Sequence, residues 1–453
     1  MRSVSLLSAL AAVSAVQASP ATQLKSRQSS ITPITVKGNA FMVGDKRFFV
    51  RGVAYQPGGS AANLDPLANS KICLPDIEKF KKLKINVVRV YSTDNSKDHA
   101  ECMNALAEAG IYVALDVNNP LYSINRKDPG PSYNAAYLQS VFATIDEFGK
   151  YDNTMAFFSG NEVIHDEKET TLAARYVKAT TRDMRSYMKS RGLRQIPVGY
   201  SAADVTDNRM QTAAYFNCGT DDERSDFFAF NDYSWCTSDF KTAGWDIKVK
   251  NFTGYGVPIF LSEYGCNLNV RDFGELEALM SDKMTSVYSG GLMYEYSQED
   301  NKYGIVEIAG PKGDQTGARK EMPEFAAYQK ALAANPAPTG LAGAVTSSSS
   351  SPCPAKDDFW MVQSTLLPAL PEGAKAYLKD GAGKGPGLNG AGSQNAGGAS
   401  TEDAEPGSGT GGNGASPSQS SAAVAGLMGP TDKAPFVISG AVFIFTMIGA
   451  ALF

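Results

Sequence analysis

Met155-Ala156-Phe157-Phe158-Ser159-Gly160-Asn161-Glu162-Val163 decides the fold. A short apolar run stops abruptly at Gly-Asn-Glu, the pattern of a buried parallel strand that delivers a carboxylic acid at its C-terminal end. Ile259-Phe260-Leu261-Ser262-Glu263-Tyr264-Gly265 has the same shape. Either glutamate alone suits a solvated strand end. Two strands that each end in Glu, the first with Asn161 beside it, suit a paired-carboxylate chemistry on glycosidic bonds.

Working outward, strand-like and helix-like patterns alternate. Strands are expected at Phe48–Tyr55, Asn86–Tyr91, Ile111–Val117, the Glu162 run, Ile196–Tyr200, Phe227–Tyr233, the Glu263 run and Gly291–Tyr296. Helical spacing falls at Pro75–Lys82, Ala100–Ala109, Ala136–Lys150, Thr171–Lys189, Met210–Phe216, Phe273–Tyr288 and Glu324–Ala333. Eight strands alternating with helices predict an α/β fold, a (β/α)8 TIM barrel. The spacing supports it: 101 residues separate Glu162 from Glu263, and three βα units of about 31 residues each nearly span that gap. The glutamates then fall on strands four and seven, at the face where barrel active sites are built. A doubly wound sheet is disfavoured, because Gly58-Gly59 follows the first strand without the full phosphate-loop fingerprint.

The 453 residues carry a net charge of −5, too mild to suggest a nucleic-acid partner. Residues 1–18 read as a secretory signal, with Arg2, a short apolar run and a small-residue cleavage site at Val16-Gln17-Ala18. Residues 19–33 are expected to be processed or disordered, 34–335 to form the barrel and 336–380 an extension packed on it. Residues 381–421 are Gly/Ser-rich and are expected to be a disordered stalk. Residues 422–453 end in an apolar tail, Phe436 to Phe453. With the small residues upstream this is the pattern of a GPI-attachment signal, with Ser421 as attachment residue and Ser420 and Gly426 as alternatives. A single-pass tail anchor is the competing reading. Six cysteines in a secreted chain imply disulfides, and six cysteines allow 15 pairings. Two histidines and no CxxC pair make a zinc site improbable. Asn251-Phe252-Thr253 is an N-glycosylation sequon.

A retaining glycosidase needs one carboxylic acid to protonate the leaving oxygen and one carboxylate to attack the anomeric carbon. Glu162 suits the acid/base and Glu263 the nucleophile. Asn161 suits a contact to the sugar 2-hydroxyl, or a turn. These two carboxylates serve transfer to a sugar and hydrolysis by water alike.

The chain resembles the fungal β-1,3-glucanosyltransferases of glycoside hydrolase family 72. The resemblance rests on Phe158-Ser159-Gly160-Asn161-Glu162-Val163, Leu261-Ser262-Glu263-Tyr264-Gly265-Cys266-Asn267, Leu292-Met293-Tyr294-Glu295-Tyr296-Ser297-Gln298-Glu299 and the later segment Lys379–Leu388. It implies internal cleavage of β-1,3-glucan, transfer of the new reducing end to another glucan's non-reducing end, and no metal or cofactor. It implies Glu162 as acid/base and Glu263 as nucleophile. Tyr91, Asn118, Asn119, Tyr122, Arg126, Asn161, Asp204, Arg209 and Tyr294 become expected glucan contacts, although Asp204 and Arg209 equally suit a structural salt bridge. It further implies the pairings Cys73–Cys102, Cys218–Cys353 and Cys236–Cys266. Donor and acceptor glucans are the expected partners, with the outer leaflet of the plasma membrane through the GPI anchor. Some family members add a cysteine-rich carbohydrate-binding module; with only Cys353 beyond Cys266, this chain lacks one. The rival readings are a β-1,3-glucanase and a non-catalytic glucan-binding wall protein.

Overall fold

The structure, a computed structural model, describes residues 31–404 apart from 312, 364, 365 and 401. The expected signal at 1–18, Ser421 and the apolar tail lie outside the described residues.

Three short antiparallel strands open the described chain: β1 (Ile34–Lys37), β2 (Ala40–Val43) and β3 (Lys46–Phe48). Eight parallel strands then close into a barrel: β4 (Val50–Ala54), β5 (Val87–Val90), β6 (Tyr112–Asp116), β7 (Thr154–Asn161), β8 (Val198–Ala203), β9 (Phe227–Asp232), β10 (Ile259–Tyr264) and β11 (Tyr288–Met293). Their order around the barrel is the chain order, with β11 pairing back onto β4. The helices α1 (Ser70–Leu83), α2 (Ala100–Glu108), α3 (Pro129–Ser132), α4 (Ala135–Phe148), α5 (Ala174–Ser190), α6 (Arg209–Phe216), α7 (Trp245–Phe252), α8 (Glu275–Leu279) and α9 (Pro323–Ala334) fall between and after the strands. Strand residues are buried on both sides, as a helix-covered parallel sheet requires.

The first expected strand, Phe48–Tyr55, divides into β3 and β4. The small sheet β1–β3 then lies against one end of the barrel. Phe41 packs on Phe227 and Phe260, with ring centroids 5.8 and 5.7 Å apart, in one buried cluster with Val50, Phe158 and Leu292. Residues 31–33 are also placed: Thr32 accepts a hydrogen bond from the Tyr112 hydroxyl at 2.6 Å. The expected helix Phe273–Tyr288 is much shorter, ending at Leu279, and the strand expected at Gly291–Tyr296 begins at Tyr288 instead. Gly290 makes this register possible. A Cβ there would sit 2.0 Å from the Val50 carbonyl oxygen, and its φ is +88°.

The disulfides are Cys73–Cys102, Cys218–Cys353 and Cys236–Cys266, the pairing implied by the family resemblance. Cys218–Cys353 spans 135 residues and ties the extension to the barrel. On the chain-entropy model such a loop contributes about 5 kcal/mol. A Cys218→Ser/Cys353→Ser chain is therefore expected to lose about that much stability in a denaturant titration. A loss below about 1 kcal/mol would mean that the remaining contacts of the extension already restrict the unfolded chain.

Residues 381–400 depart from the expected stalk. Ala382 and Ser393 are buried. Gly387 N–H donates to Asn95 Oδ1 at 2.9 Å, Asn63 Nδ2 to the Leu388 carbonyl at 2.8 Å, and Asn134 Nδ2 to the Ser393 carbonyl at 2.7 Å. This strap also follows α10 (Lys375–Asp380) back across the barrel.

His99 is buried between Asp65 and Glu147, 2.7 and 2.9 Å from its two ring nitrogens. Burial alone would lower its pKa, but the two carboxylates outweigh burial and raise it to about 9. A raised folded pKa stabilises fully below the unfolded value of about 6.5 and is lost as pH climbs through about 9, a span worth roughly 3 kcal/mol. Melting temperature should fall between pH 6.5 and 9, and Glu147→Gln together with Asp65→Asn should flatten that slope. An unchanged slope would place the titrating group elsewhere.

Candidate active site

The C-terminal ends of β5, β6, β7, β9 and β10 converge on one charged cluster. Glu263, at the end of β10, is 6% exposed. Its Oε1 accepts from the Tyr91 hydroxyl at 2.8 Å and from Arg89 Nη1 at 3.2 Å. Its Oε2 accepts from the Tyr233 hydroxyl. Burial pushes the Glu263 carboxyl up, Arg89 draws it back, Glu162 pushes it up again and the two tyrosines lower it, leaving it at about 7.

Glu162 follows β7 and is half-buried. Its Oε1 accepts from Asn231 Nδ2 at 2.8 Å. Its backbone is left-handed, with φ +48°, a conformation that costs a non-glycine residue about 1 kcal/mol or more and persists only when neighbours hold it. Two hydrogen bonds do so. Glu162 N–H donates to the Ser201 carbonyl at 2.9 Å, and Arg126 Nη2 donates to the Glu162 carbonyl at 2.6 Å.

Asn161 Oδ1 accepts from Arg89 Nη2 at 3.0 Å, Ser201 Oγ at 2.8 Å and Asn231 Nδ2 at 3.0 Å. With its oxygen saturated, the amide is fixed and Asn161 lines a cleft of about 320 Å³. Arg89 lies beneath, fully buried and bidentate on Asp116 at 2.9 and 3.1 Å. Its guanidinium lies 4.4 Å from the ring centroids of both Tyr91 and Phe158. One cation thus balances two buried carboxylates, Asp116 and Glu263.

The 320 Å³ cleft is lined by Tyr91, Asn118, Asn119, Ser123, Arg126 and Asn161, among others. A second, of about 580 Å³, opens beyond Glu162 and is lined by His165, Asp204, Arg209, Tyr233 and Lys248, among others. Of the expected site residues, Tyr91, Asn118, Asn119, Arg126 and Asn161 thus line one cleft and Asp204 and Arg209 the other. Tyr294 joins Tyr233 and Tyr303, with ring centroids 5.8 and 5.4 Å away.

Several of these residues are committed to the fold. Asn118 donates to the Ser159 carbonyl at 3.0 Å and accepts from Tyr137 at 2.7 Å. Asn119 Oδ1 accepts the backbone N–H groups of Leu121 and Tyr122 at 2.9 and 3.1 Å. Tyr122 is buried and does not line either cleft; its hydroxyl accepts from Gly392 N–H at 3.2 Å. Asp204 is an ion-pair partner of Arg209 and of Lys248 Nζ, which also reaches Asp232. The structural salt bridge left open for Asp204 and Arg209 is thus present, and it forms part of a cleft wall. Asn251 is exposed on α7.

Arg89, Asp116, Asn231 and Tyr233 were not singled out from sequence. The signal was there for Arg89, a charge inside Val87-Val88-Arg89-Val90. Asp116 and Asn231 likewise end apolar strands just as the two glutamates do.

A closed parallel barrel with paired carboxylates at the ends of its fourth and seventh strands, in an open cleft, defines a carbohydrate-active barrel enzyme. Residues 23–334 match the glucanosyltransferase model of glycoside hydrolase family 72. The 1,3-β-glucanosyltransferase gel1 of Aspergillus fumigatus is 58% identical over 388 residues, covering 85% of this chain and 84% of that one. The 1,3-β-glucanosyltransferase GAS5 of Saccharomyces cerevisiae is 48% identical over 83% of this chain and 78% of its own. The structure of a mutant of S. cerevisiae Gas2p in complex with laminaritetraose and laminaripentaose superposes with a TM-score of 0.66 at 36% identity, covering 74% of this chain and 75% of that one. The chain belongs to the glucanosyltransferases of glycoside hydrolase family 72.

Proposed function

We propose that the chain is a retaining β-1,3-glucan transglycosylase that cleaves a donor internally and elongates a second glucan. The observation that carries this reading is the carboxylate pair, Glu162 and Glu263, joined through Asn231 and Arg89, with Glu162 lining the larger cleft and Tyr91, which donates to Glu263, lining the smaller. Glu263 attacks the anomeric carbon while Glu162 protonates the departing glucosidic oxygen, giving a covalent glycosyl-enzyme and a released fragment. The 3-hydroxyl at an acceptor's non-reducing end then gives its proton to Glu162 and attacks the same carbon. A new β-1,3 bond forms and Glu263 is freed. Arg89, Tyr91 and Tyr233 support the anionic nucleophile. With its carboxyl held at about 7, Glu263 gains its nucleophilic, ionised form as pH rises through neutrality.

Clefts that reach this network at Asn161 and at Glu162 suit a donor on one side and an acceptor on the other. The test is incubation with a reduced linear β-1,3-oligosaccharide, resolving product sizes over time. Products longer than the starting sugar are expected. Shorter products alone would make the chain a hydrolase, and no change would leave a binding protein.

The small residues near Ser421 and the apolar tail support attachment to the outer face of the plasma membrane. Release of the protein from intact cells by a phosphatidylinositol-specific phospholipase C tests it; retention would favour a spanning tail.

A further inference from the structure

The strap at residues 382–399 does more than cover the barrel. It holds the loop Asn118–Arg126 along its length. Ser393 N–H donates to the Leu121 carbonyl at 2.9 Å, Gly392 N–H to the Tyr122 hydroxyl at 3.2 Å and Gln394 Nε2 to the Ser123 carbonyl at 2.7 Å. The fit is close: a Cβ on Gly390 would sit 2.1 Å from the Tyr122 hydroxyl oxygen. At the far end of the same loop, Arg126 Nη2 donates to the Glu162 carbonyl at 2.6 Å. That bond is one of the two holding Glu162 in its left-handed backbone conformation, φ +48°.

We propose that the strap is a positioning element for the acid/base, acting through the loop 118–126 and Arg126 on the backbone of Glu162. This rests on the assignment of Glu162 as acid/base. A left-handed glutamate relaxes when its carbonyl loses a charge-assisted hydrogen bond. A small backbone rotation then swings the carboxyl away from the departing oxygen, and proton donation is sensitive to such a displacement. Glu263 is held by Arg89, Tyr91 and Tyr233 from other strands, so its attack is spared.

That separation gives the test a readout that general loss of structure does not move. The full chain is assayed on two donors: a linear β-1,3-oligosaccharide, whose leaving sugar needs a proton, and the matching β-glycosyl fluoride, whose leaving group needs almost none. Fluoride release is followed in the first turnover. Gly390→Ala wedges the strap from Tyr122 and is expected to slow oligosaccharide cleavage about tenfold, with fluoride release within about twofold. Arg126→Ala is expected to cost about a hundredfold on the oligosaccharide, with Arg126→Lys recovering part of it. Adding Gly390→Ala to Arg126→Ala should cost no more than Arg126→Ala alone, because both act through one bond. Gln394→Ala, a milder change, should move the donor ratio in the same direction and covers the case in which Gly390→Ala fails to fold. Equal losses on both donors, or additive losses in the double variant, would overturn the proposal. Glu162→Gln run alongside separates the two levels. If that variant still cleaves the oligosaccharide normally, the acid/base assignment itself fails; if it is inactive while the strap variants are unaffected, only the strap's role fails.

Discussion

Glu162→Ala and Glu263→Ala, supplied with azide and a β-1,3-linked glycosyl fluoride, are expected to give glycosyl azides of opposite configuration. Without Glu162 the covalent intermediate still forms from the activated donor, and azide displaces Glu263 to give the β-azide. Without Glu263 the space beneath the anomeric carbon admits azide directly, and one inversion gives the α-azide. On unactivated glucan, Glu162→Gln should cost about 10²–10⁴ in rate, the usual reach of general acid catalysis. Glu263→Gln should abolish transfer, since no covalent route remains. Proton nuclear magnetic resonance of the azide anomers decides the matter. The reverse pattern would exchange the roles, and a single anomer from both would remove the double displacement. Because burial holds Glu263 at about 7 and only its ionised form attacks, wild-type cleavage of glucan should rise as pH climbs through about 7.

Replacing Arg89 should cost stability and activity together. It is fully buried, and Asp116 and Glu263 are nearly so. Arg89→Met leaves two carboxylates without their counter-charge in a medium that solvates charge poorly. Breaking a buried ion pair by removing one partner costs about 3–5 kcal/mol. Burial already pushes the Asp116 carboxyl up, and Arg89 is what draws it back. Protonation would relieve the strain, so the variant should also make Glu263 a neutral, non-nucleophilic acid and lose transfer activity. Arg89→Met with Asp116→Asn should recover much of the stability and none of the activity, because the second carboxylate is the nucleophile. Denaturant titration and transfer assay on the same samples check both. Recovery of activity in the double variant would show that Arg89 serves only the fold.

The two glutamates were legible because each ends an apolar run, and a parallel strand buried on both faces advertises itself by composition. The barrel followed from spacing. The small sheet β1–β3 was not legible: strands of three or four residues joined by Gly38-Asn39 and Gly44-Asp45 give too few alternations for a period to register. The region after α8 misled for a related reason. Met280, Met284 and Val287 recur at helical spacing, but the chain turns through Ser281 and Ser286 instead. The strap misled most. Its glycines suggested an unstructured stalk, yet Gly385 and Gly390 lie where a Cβ would come within 2.2 Å of Asn95 Oδ1 and 2.1 Å of the Tyr122 hydroxyl. Glycine there permits close approach rather than freedom, and composition does not distinguish the two. Arg126 was expected at the glucan, and its bond to the Glu162 carbonyl depends on that loop being folded back.

Among the described residues, the sheet β1–β3 also closes the lower end of the reaction vessel. Phe41 stops the lower end against Phe227 and Phe260, and Phe158, Val50 and Leu292 fill the same layer. Water is kept from the lower end by this packing and reaches the carboxylates from the face where the sugars would dock. An acceptor seated there is both the reactant and the stopper. The balance between lengthening a chain and wasting the bond on water then becomes a matter of occupancy, set by how crowded with glucan ends the surroundings are. In a dense polysaccharide mesh the vessel is nearly always corked; in dilute solution a larger share of the bonds is lost to water.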